Sequence, residues 1–429
     1  MSTATIDSKK GMARDVIATP VVWKFAVLYS VIAALAAAMM LSITAGATTR
    51  FQLSTPNDAF QIPLFEVPAR PVGLALAAVL IAMAALALWS TANRRTLGAW
   101  FPVTFGLLFI LGFLLFAGAG TGRMIALTTL IAGALALSVP LIFGAMCGLV
   151  GERSGIVNIA IEGQLLMGAF AAAIGATVTG NPFVGLITAA IGGGLVGALL
   201  VFFAVKYWVD QIIIGVVLNV LVVGLTGFFY STVLTENASV LNHPDRLPVW
   251  SIPGLSAIPV IGPVLFSQTI LVYLMYVIVA GLTVFVFRSR WGLRMRAVGE
   301  HPKAADTVGI NVNRTRVINT IFAGMIAGLG GAFFTVGTGL AFGKEMTAGL
   351  GYIALAAMIL GNWNPLGALA AALLFGFSRN LANMLSVIGT PVPSEILLML
   401  PYVVTIFAVA GFVGKVRPPA SENIPYIKQ

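Results

Sequence analysis

The chain has 429 residues, of which 59% are apolar and only 9% are charged. Its mean hydropathy of +1.01 excludes a soluble globular protein, because such a protein covers its surface with far more charge. The net charge of +10 is of a size often seen in nucleic-acid-binding proteins. The positions of the cations, described below, exclude a nucleic-acid partner.

Twelve apolar segments alternate with short polar stretches, and most could cross about 30 Å of hydrocarbon as helices. The sequence predicts an all-α polytopic membrane protein with about 10–12 transmembrane helices. The count is a range because segment 348–361 is short and could be half of a broken helix. The predicted segments are 23–44, 72–92, 100–118, 125–149, 157–179, 183–205, 212–234, 264–287, 317–340, 348–361, 366–386 and 397–414.

Lysine and arginine fall mainly on one side of this predicted topology. A cytoplasmic N-terminus places 18 of the 24 cations in inside segments, five outside and one within a span. This bias predicts that both termini are cytoplasmic. Residues 1–120 are predicted to be an N-terminal extension with about three transmembrane helices. Residues 419–429 are predicted to be a cytoplasmic tail.

The stretch "SGIVNIAIEG" at 154–163 places polar residues at the start of the fifth segment. Asn158 and Glu162 are four residues apart, so we expect them to share a helix face in the wall of a substrate pathway. The alternative is that they only form hydrogen bonds with neighbouring helices. Glu162 is the one carboxylate well inside a predicted span. Either Arg379 or Arg153 could form an ion pair with it, and the sequence does not choose between them.

Asn219 lies in the middle of the seventh segment, among apolar residues. An unsatisfied amide in hydrocarbon is costly, so we expect Asn219 to face the substrate pathway or to form an interhelical hydrogen bond.

Segments 154–161 and 348–355 share the pattern G-[IL]-x-x-I-A-[IL] and start on opposite sides of the predicted topology. This is the arrangement of an inverted repeat, although chance similarity between apolar stretches is an equal alternative.

The stretch 288–316, "RSRWGLRMRAVGEHPKAADTVGINVNRTR", gathers seven cations into the largest predicted cytoplasmic loop. Within it, a proline at the first position and a glycine at the end predict a two-turn helix over 302–309. Such a helix is too short to be stable alone, so we expect it to dock on a partner protein. The alternative is an ordinary positively charged loop. The predicted docking residues are Pro302, Lys303, Ala304, Ala305, Val308 and Gly309.

The chain contains no "GxxxxGK[ST]" phosphate loop. It shows no Cys/His cluster for a metal and no nucleophile–base pair at a recognisable spacing. We therefore predict no catalytic residues, no metal site and no cofactor within this chain.

Four stretches carry recognisable motifs: "GERSGIVNIAIEGQLLMGAF", "DQIIIGVVLNVLVVGLT", "GLRMRAVGEHPKAADTVGINVNRTR" and "TAGLGYIALAAMILGNWNPLGALAAALLFGF". They resemble the permease subunits of bacterial ABC importers in the ribose/branched-chain amino acid permease superfamily, with the closest likeness to the nucleoside importers. The resemblance runs from about residue 125 to 415. It implies a permease core over 121–418 that transports a solute, with nucleosides as the expected class, across the inner membrane by alternating access.

The resemblance also gives the loop 288–316 a role. Permeases of this type carry an "EAAxxxG" coupling loop that sits in a groove of the ATPase, and "KAADTVG" matches it, except that Lys303 replaces the glutamate. The implied partners are an ABC ATPase that binds ATP and Mg²⁺, a second permease (a heterodimer rather than a homodimer), an extracytoplasmic substrate-binding lipoprotein, a nucleoside-like solute and membrane lipid. The alternatives are a permease for a sugar or another small solute, a secondary carrier, and a non-transporting scaffold.

Overall fold

The computed structural model describes residues 23–54, 61–95, 97–98, 100–388, 399 and 417–428. Within these ranges, ten helices are long and apolar enough to cross a membrane. The predicted all-α polytopic architecture is therefore confirmed. The predicted segment 397–414 lies outside the described residues, apart from Met399.

The helices follow the apolar segments closely. Their bounds are α1 Lys24–Leu41, α2 Ala69–Ala92, α3 Trp100–Gly118, α4 Leu127–Arg153, α5 Ile161–Thr179, α6 Pro182–Lys206, α7 Gln211–Phe229, α8 Ala238–Leu241, α9 Ile261–Phe266, α10 Ile270–Arg288, α11 Arg290–Glu300, α12 Pro302–Thr307, α13 Val312–Ala332, α14 Leu350–Leu360 and α15 Pro365–Ile388. Single π-helical stretches, Tyr230–Leu234 and Phe333–Gly337, continue α7 and α13.

Five short strands accompany these helices: β1 Thr48–Gln52, β2 Phe65–Pro68, β3 Met124–Ala126, β4 Val249–Ser251 and β5 Ser267–Thr269. They form a sheet of order β2-β1-β3 and a two-stranded sheet of β4 with β5. In the first sheet β1 runs parallel to β3, with Arg50 opposite Met124.

The described contacts divide the chain into two compact units. One comprises the described residues of 1–47 and 68–119, and the other comprises the described residues of 48–67 and 120–429. The prediction placed segment 48–67 in the N-terminal extension, whereas β1 joins this segment to the second unit through β3. In the first unit α1, α2 and α3 pack on one another around an aromatic cluster in which the Tyr29 ring lies 5.3 Å from that of Phe101 and 4.8 Å from that of Phe105.

The second unit packs α4, α5, α6 and α13 around one core of buried apolar residues. Glycines allow α6 and α13 to approach unusually closely. A Cβ atom added at Gly193 would lie 2.3 Å from the Gly324 carbonyl oxygen, and one at Gly328 would lie 2.1 Å from the Ala189 carbonyl oxygen. Small residues at such contacts are typical of helix pairs in membranes.

The stretch 288–316, predicted to be a loop between two spans with one short helix, is mostly helical. Helix α11 fills 290–300 and α13 already begins at Val312, because Ser289 and Asn311 cap the two helices. The side chain of Ser289 accepts a hydrogen bond from the Gly292 amide, and that of Asn311 accepts one from the Arg314 amide.

Candidate transport and docking sites

Glu162 lies in the first turn of α5 and holds the beginning of α14. One carboxylate oxygen accepts hydrogen bonds from the Thr347 hydroxyl at 2.6 Å and the Gly349 amide at 2.9 Å, and the other accepts one from the Gly351 amide at 2.7 Å. The first amides of a helix have no partner within the helix, and its N-terminus carries partial positive charge. Glu162 therefore caps α14 from a different helix.

Asn219 plays the corresponding part for α5. Its side-chain oxygen accepts a hydrogen bond of 2.8 Å from the Gly163 amide in the first turn of α5. Its side-chain nitrogen donates to the Ile159 carbonyl at 2.9 Å and to the Tyr352 hydroxyl at 3.1 Å. Asn219 thus satisfies the expectation of an interhelical hydrogen bond, and it ties α7 to the starts of both α5 and α14.

These residues line a cavity of about 330 Å³ beside the two helix starts. Its wall is formed by Glu162, Asn219, Val220, Val223, Glu345, Thr347, Ala348, Gly349 and Tyr352. Two carboxylates, an amide and a phenol therefore face one space. Such groups can accept hydrogen bonds from hydroxyl and amine groups of a small polar solute.

Asn158 lies elsewhere, so the predicted shared helix face is wrong. Residues 154–160 form turns and irregular chain between α4 and α5, with Gly155 in the left-handed region at φ 85°. The Asn158 side chain is completely buried, and its nitrogen donates to Cys147 Sγ at 3.1 Å and Gln164 Oε1 at 3.0 Å. It joins α4 to α5 and does not line the cavity.

The predicted ion pair between Glu162 and Arg379 is also wrong. Both oxygens of Glu162 are taken by donors in segment 347–351, and no ion pair connects it with Arg379. Arg153, the other candidate partner, donates instead to the Trp363 carbonyl at 2.9 Å. Backbone amides at the N-terminus of α14 thus bind the Glu162 carboxylate in place of the predicted arginine.

The proposed docking helix is α12, six residues long. Pro302 occupies its first turn and Gly309 follows it with φ 84°, as predicted from the proline and glycine positions. Ala304 and Val308 are exposed, and 74% of the Val308 surface is accessible. They lie four residues apart and form a small apolar patch beside Lys303.

Ala305 does not belong to that exposed patch, in contrast to the prediction. Its side chain is 3% exposed and packs with Val298, Val312 and Tyr426 inside the same chain. A six-residue helix is too short to be stable without such packing. The packing was expected to come from a partner protein, and it comes from this chain itself.

The model of the branched-chain amino acid transport system permease component matches residues 125–409. The chain belongs to this permease family. The permease is 36% identical to the guanosine ABC transporter permease protein NupQ of Bacillus subtilis over 70% of its own length and 97% of NupQ. It is 39% identical to the nucleoside ABC transporter permease protein NupC of Lactococcus lactis over 70% of its length and 98% of NupC.

A third relative, the guanosine ABC transporter permease protein NupP of Bacillus subtilis, is 28% identical over 65% of this chain and 82% of NupP. No solved structure matches the permease. The matched relatives confirm the resemblance that the four sequence motifs indicated.

The C-terminal tail of the permease supports α12, and the sequence analysis missed it. Buried Arg316 donates to the Ile424 carbonyl at 2.9 Å and to that of Ser421 at 3.4 Å. The Ser421 amide donates to the Gly299 carbonyl at 2.9 Å. The Asn423 nitrogen donates to the Asp210 carboxylate at 3.1 Å. The tail thereby joins the starts of α7 and α13 to the end of α11.

The tail and α12 together enclose a groove of about 690 Å³, lined by His301, Pro302, Lys303, Ala304, Ser421, Ile424, Pro425, Tyr426 and Ile427. Two groups near it have shifted pKa values. Burial raises the pKa of Glu422 to about 7. The hydrogen bond from Asn423 lowers the pKa of Asp210. The surface beside α12 is thus built from two distant segments of the sequence, of which only one carries a recognisable motif.

Proposed function

We propose that this permease is the transmembrane subunit of an ATP-driven nucleoside importer in the bacterial inner membrane. The observation that carries the proposal is the match over nearly the full length of NupQ and NupC, whose names state guanosine and nucleoside transport. The positive charge bias supports cytoplasmic termini, which place α11 and α12 in the cytoplasm.

In this proposal the solute passes the cavity beside Glu162 and Asn219. A nucleoside offers ribose hydroxyl groups and base N–H donors, and the exposed carboxylate of Glu345 supplies acceptors for them. The Glu162 carboxylate shapes the cavity by holding the start of α14. The Tyr352 ring, which is half exposed at the cavity, offers an aromatic face for the base. Asn158 is left out of the pathway because it is fully buried.

Transport would be driven by a separate ATPase that binds ATP and Mg²⁺, since this chain has no phosphate loop. The exposed patch of Ala304 and Val308 would sit in a groove of that subunit, and α12 would pass its movement to α11 and α13. The helices would then open the cavity alternately to the two sides of the membrane.

The remaining partners are a second permease and an extracytoplasmic substrate-binding lipoprotein. Two different guanosine permeases of Bacillus subtilis, NupQ and NupP, both match this chain, which favours a heterodimer over a homodimer. The residues 1–120 would be an extension outside the matched family region, because the match starts at residue 125.

The proposal is tested by measuring solute uptake in proteoliposomes. They would contain the permease together with the ATPase, the second permease and the binding protein that are encoded beside it. We expect ATP-dependent uptake of guanosine and no uptake by this chain alone. Accumulation driven by a proton gradient without the ATPase would instead establish a secondary carrier. Ribose uptake without guanosine uptake would establish the sugar permease.

The docking assignment needs variants at exposed positions. We expect Ala304→Trp and Val308→Glu to lose the ATPase on co-purification, since these side chains touch little of their own chain. Lys303→Ala is the matched control and should retain the ATPase, because an exposed cation contributes only about 0–1 kcal/mol. Normal ATPase retention in both Ala304→Trp and Val308→Glu would mean that α12 does not dock there.

A further inference from the structure

A second polar cavity lies between α11 and the start of α13. It has a volume of about 420 Å³ and is lined by Trp291, Arg294, Gly309, Ile310, Asn311, Arg314, Thr315, Ile318 and Asn319. The side chains of Arg294 and Arg314 are exposed, so two guanidinium groups border one recess. Guanidinium groups bind phosphate through paired N–H donors, which makes this recess suited to an anion.

An apolar cavity of about 350 Å³ adjoins it on the flank of α10 and α13. Its lining consists of Leu282, Phe285, Trp291, Ile318, Asn319 and Phe322. Trp291, Ile318 and Asn319 line both cavities, so the two spaces are neighbours that share a wall. The rings of Trp291 and Phe322 meet edge to face at 6.2 Å. The site therefore has a cationic end and an apolar end.

Asn319 lies on the wall that the two cavities share. It is 1% exposed, yet neither its side-chain nitrogen nor its side-chain oxygen forms a hydrogen bond with any residue that the structure describes. A buried amide without partners has lost its hydrogen bonds to water and gained none in return, which is unfavourable. A polar ligand group at this junction could accept a hydrogen bond from the Asn319 nitrogen and donate one to its oxygen.

We propose that this paired cavity binds an anionic phospholipid, with the headgroup phosphate between Arg294 and Arg314 and an acyl chain along Phe285 and Phe322. The apolar half decides between a lipid and a soluble anion, because free phosphate has no part to fill it. The site lies at the end of α10, where tryptophan and arginine commonly mark the membrane surface. In the proposed orientation this is the cytoplasmic leaflet, and basic pockets between helices on that side suit acidic headgroups.

Trp291 provides the measurement, since it lines both cavities. The full chain would be placed in phosphatidylcholine vesicles with brominated phosphatidylglycerol or brominated phosphatidylcholine as the quencher. The contribution of Trp291 is the difference between the wild type and Trp291→Phe. We expect brominated phosphatidylglycerol to quench Trp291 at a lower mole fraction than brominated phosphatidylcholine does. The mole fraction needed should fall by roughly five-fold for each arginine that binds the headgroup.

Two double variants with equal loss of charge separate the site from the loop. Arg294→Gln with Arg314→Gln should abolish the preference, whereas Arg288→Gln with Arg290→Gln should keep it, because those two arginines line neither cavity. Asn319→Leu tests the junction without changing the charge and should also reduce the preference.

Four outcomes would overturn the proposal. They are no preference in the wild type, equal loss in both double variants, a response of Trp291 to inorganic phosphate in pure phosphatidylcholine vesicles without a lipid preference, and no quenching by either lipid. The third outcome would assign the recess to a soluble anion, and the fourth would mean that protein, such as a second copy of this chain, covers this face.

Discussion

Replacing Glu162 with glutamine tests whether this carboxylate fixes the junction between α5 and α14. The carboxylate accepts three hydrogen bonds, from the Thr347 hydroxyl and the amides of Gly349 and Gly351. The side-chain oxygen of a glutamine can still accept a hydrogen bond. The glutamine NH₂ group, however, is a donor and would face a donor of segment 347–351, so no bond can form there. At least one charge-assisted bond is lost, at about 1.5–3 kcal/mol, together with a favourable helix-dipole interaction of about 0.3–1 kcal/mol.

We therefore expect Glu162→Gln to lower the free energy of unfolding by about 2–4 kcal/mol and to reduce guanosine uptake. The matched control is Glu345→Gln, which removes an exposed carboxylate from the same cavity wall. Unfolding of the two variants would be followed in detergent beside wild type, and uptake would be measured in proteoliposomes containing all partners. Unchanged stability and uptake in Glu162→Gln would refute the capping role, and equal loss of uptake with unchanged stability in both variants would show that only cavity charge matters.

Three further predictions concern the packing and the tail. Gly328→Ala should destabilise the protein by about 1–3 kcal/mol, since its Cβ would lie 2.1 Å from the Ala189 carbonyl oxygen, whereas Gly224→Ala, with nothing within 4 Å, should be tolerated in the same unfolding assay. Arg316→Gln should speed hydrogen exchange of 417–428, because it removes the donors to Ile424 and Ser421; exchange at the wild-type rate would contradict this. Burial raises the pKa of Glu422 from 4.5 to about 7, so docking of the tail should be strongest below pH 4.5 and weaken as the pH rises through 7. Exchange of the tail, corrected for its intrinsic pH dependence, should show this trend in wild type and lose it in Glu422→Gln.

The membrane-spanning helices could be predicted from the sequence because long apolar runs leave few other structures in a bilayer. Even the short α14 was indicated, since 348–361 has too few residues for a full crossing. The start of α5 was misplaced by four residues because Gly155 turns the chain and the apolar residues after it look like a helix. That one turn moved Asn158 off the face it was predicted to share with Glu162.

The partners of polar side chains could not be predicted in the same way. The sequence offered a cation, Arg379, for the carboxylate of Glu162, because charge is visible in a sequence. The actual partners are backbone amides, which every residue carries and which become available only at the N-terminus of α14. Asn219 likewise bonds to an amide and a carbonyl of the α5 start, which are separated from it by more than 50 residues.

By itself, the sequence determined the membrane class, the span positions, the permease family and a short helix that begins at Pro302, since each depends on local composition or on a contiguous motif. Only the tertiary structure decided that Ala305 faces inward, that the tail 417–428 supports α12, and that Arg294, Arg314 and Asn319 border paired cavities. The physical reason is that these arrangements join segments far apart in the chain. Their energy comes from packing and hydrogen bonds that exist only once the helices have assembled.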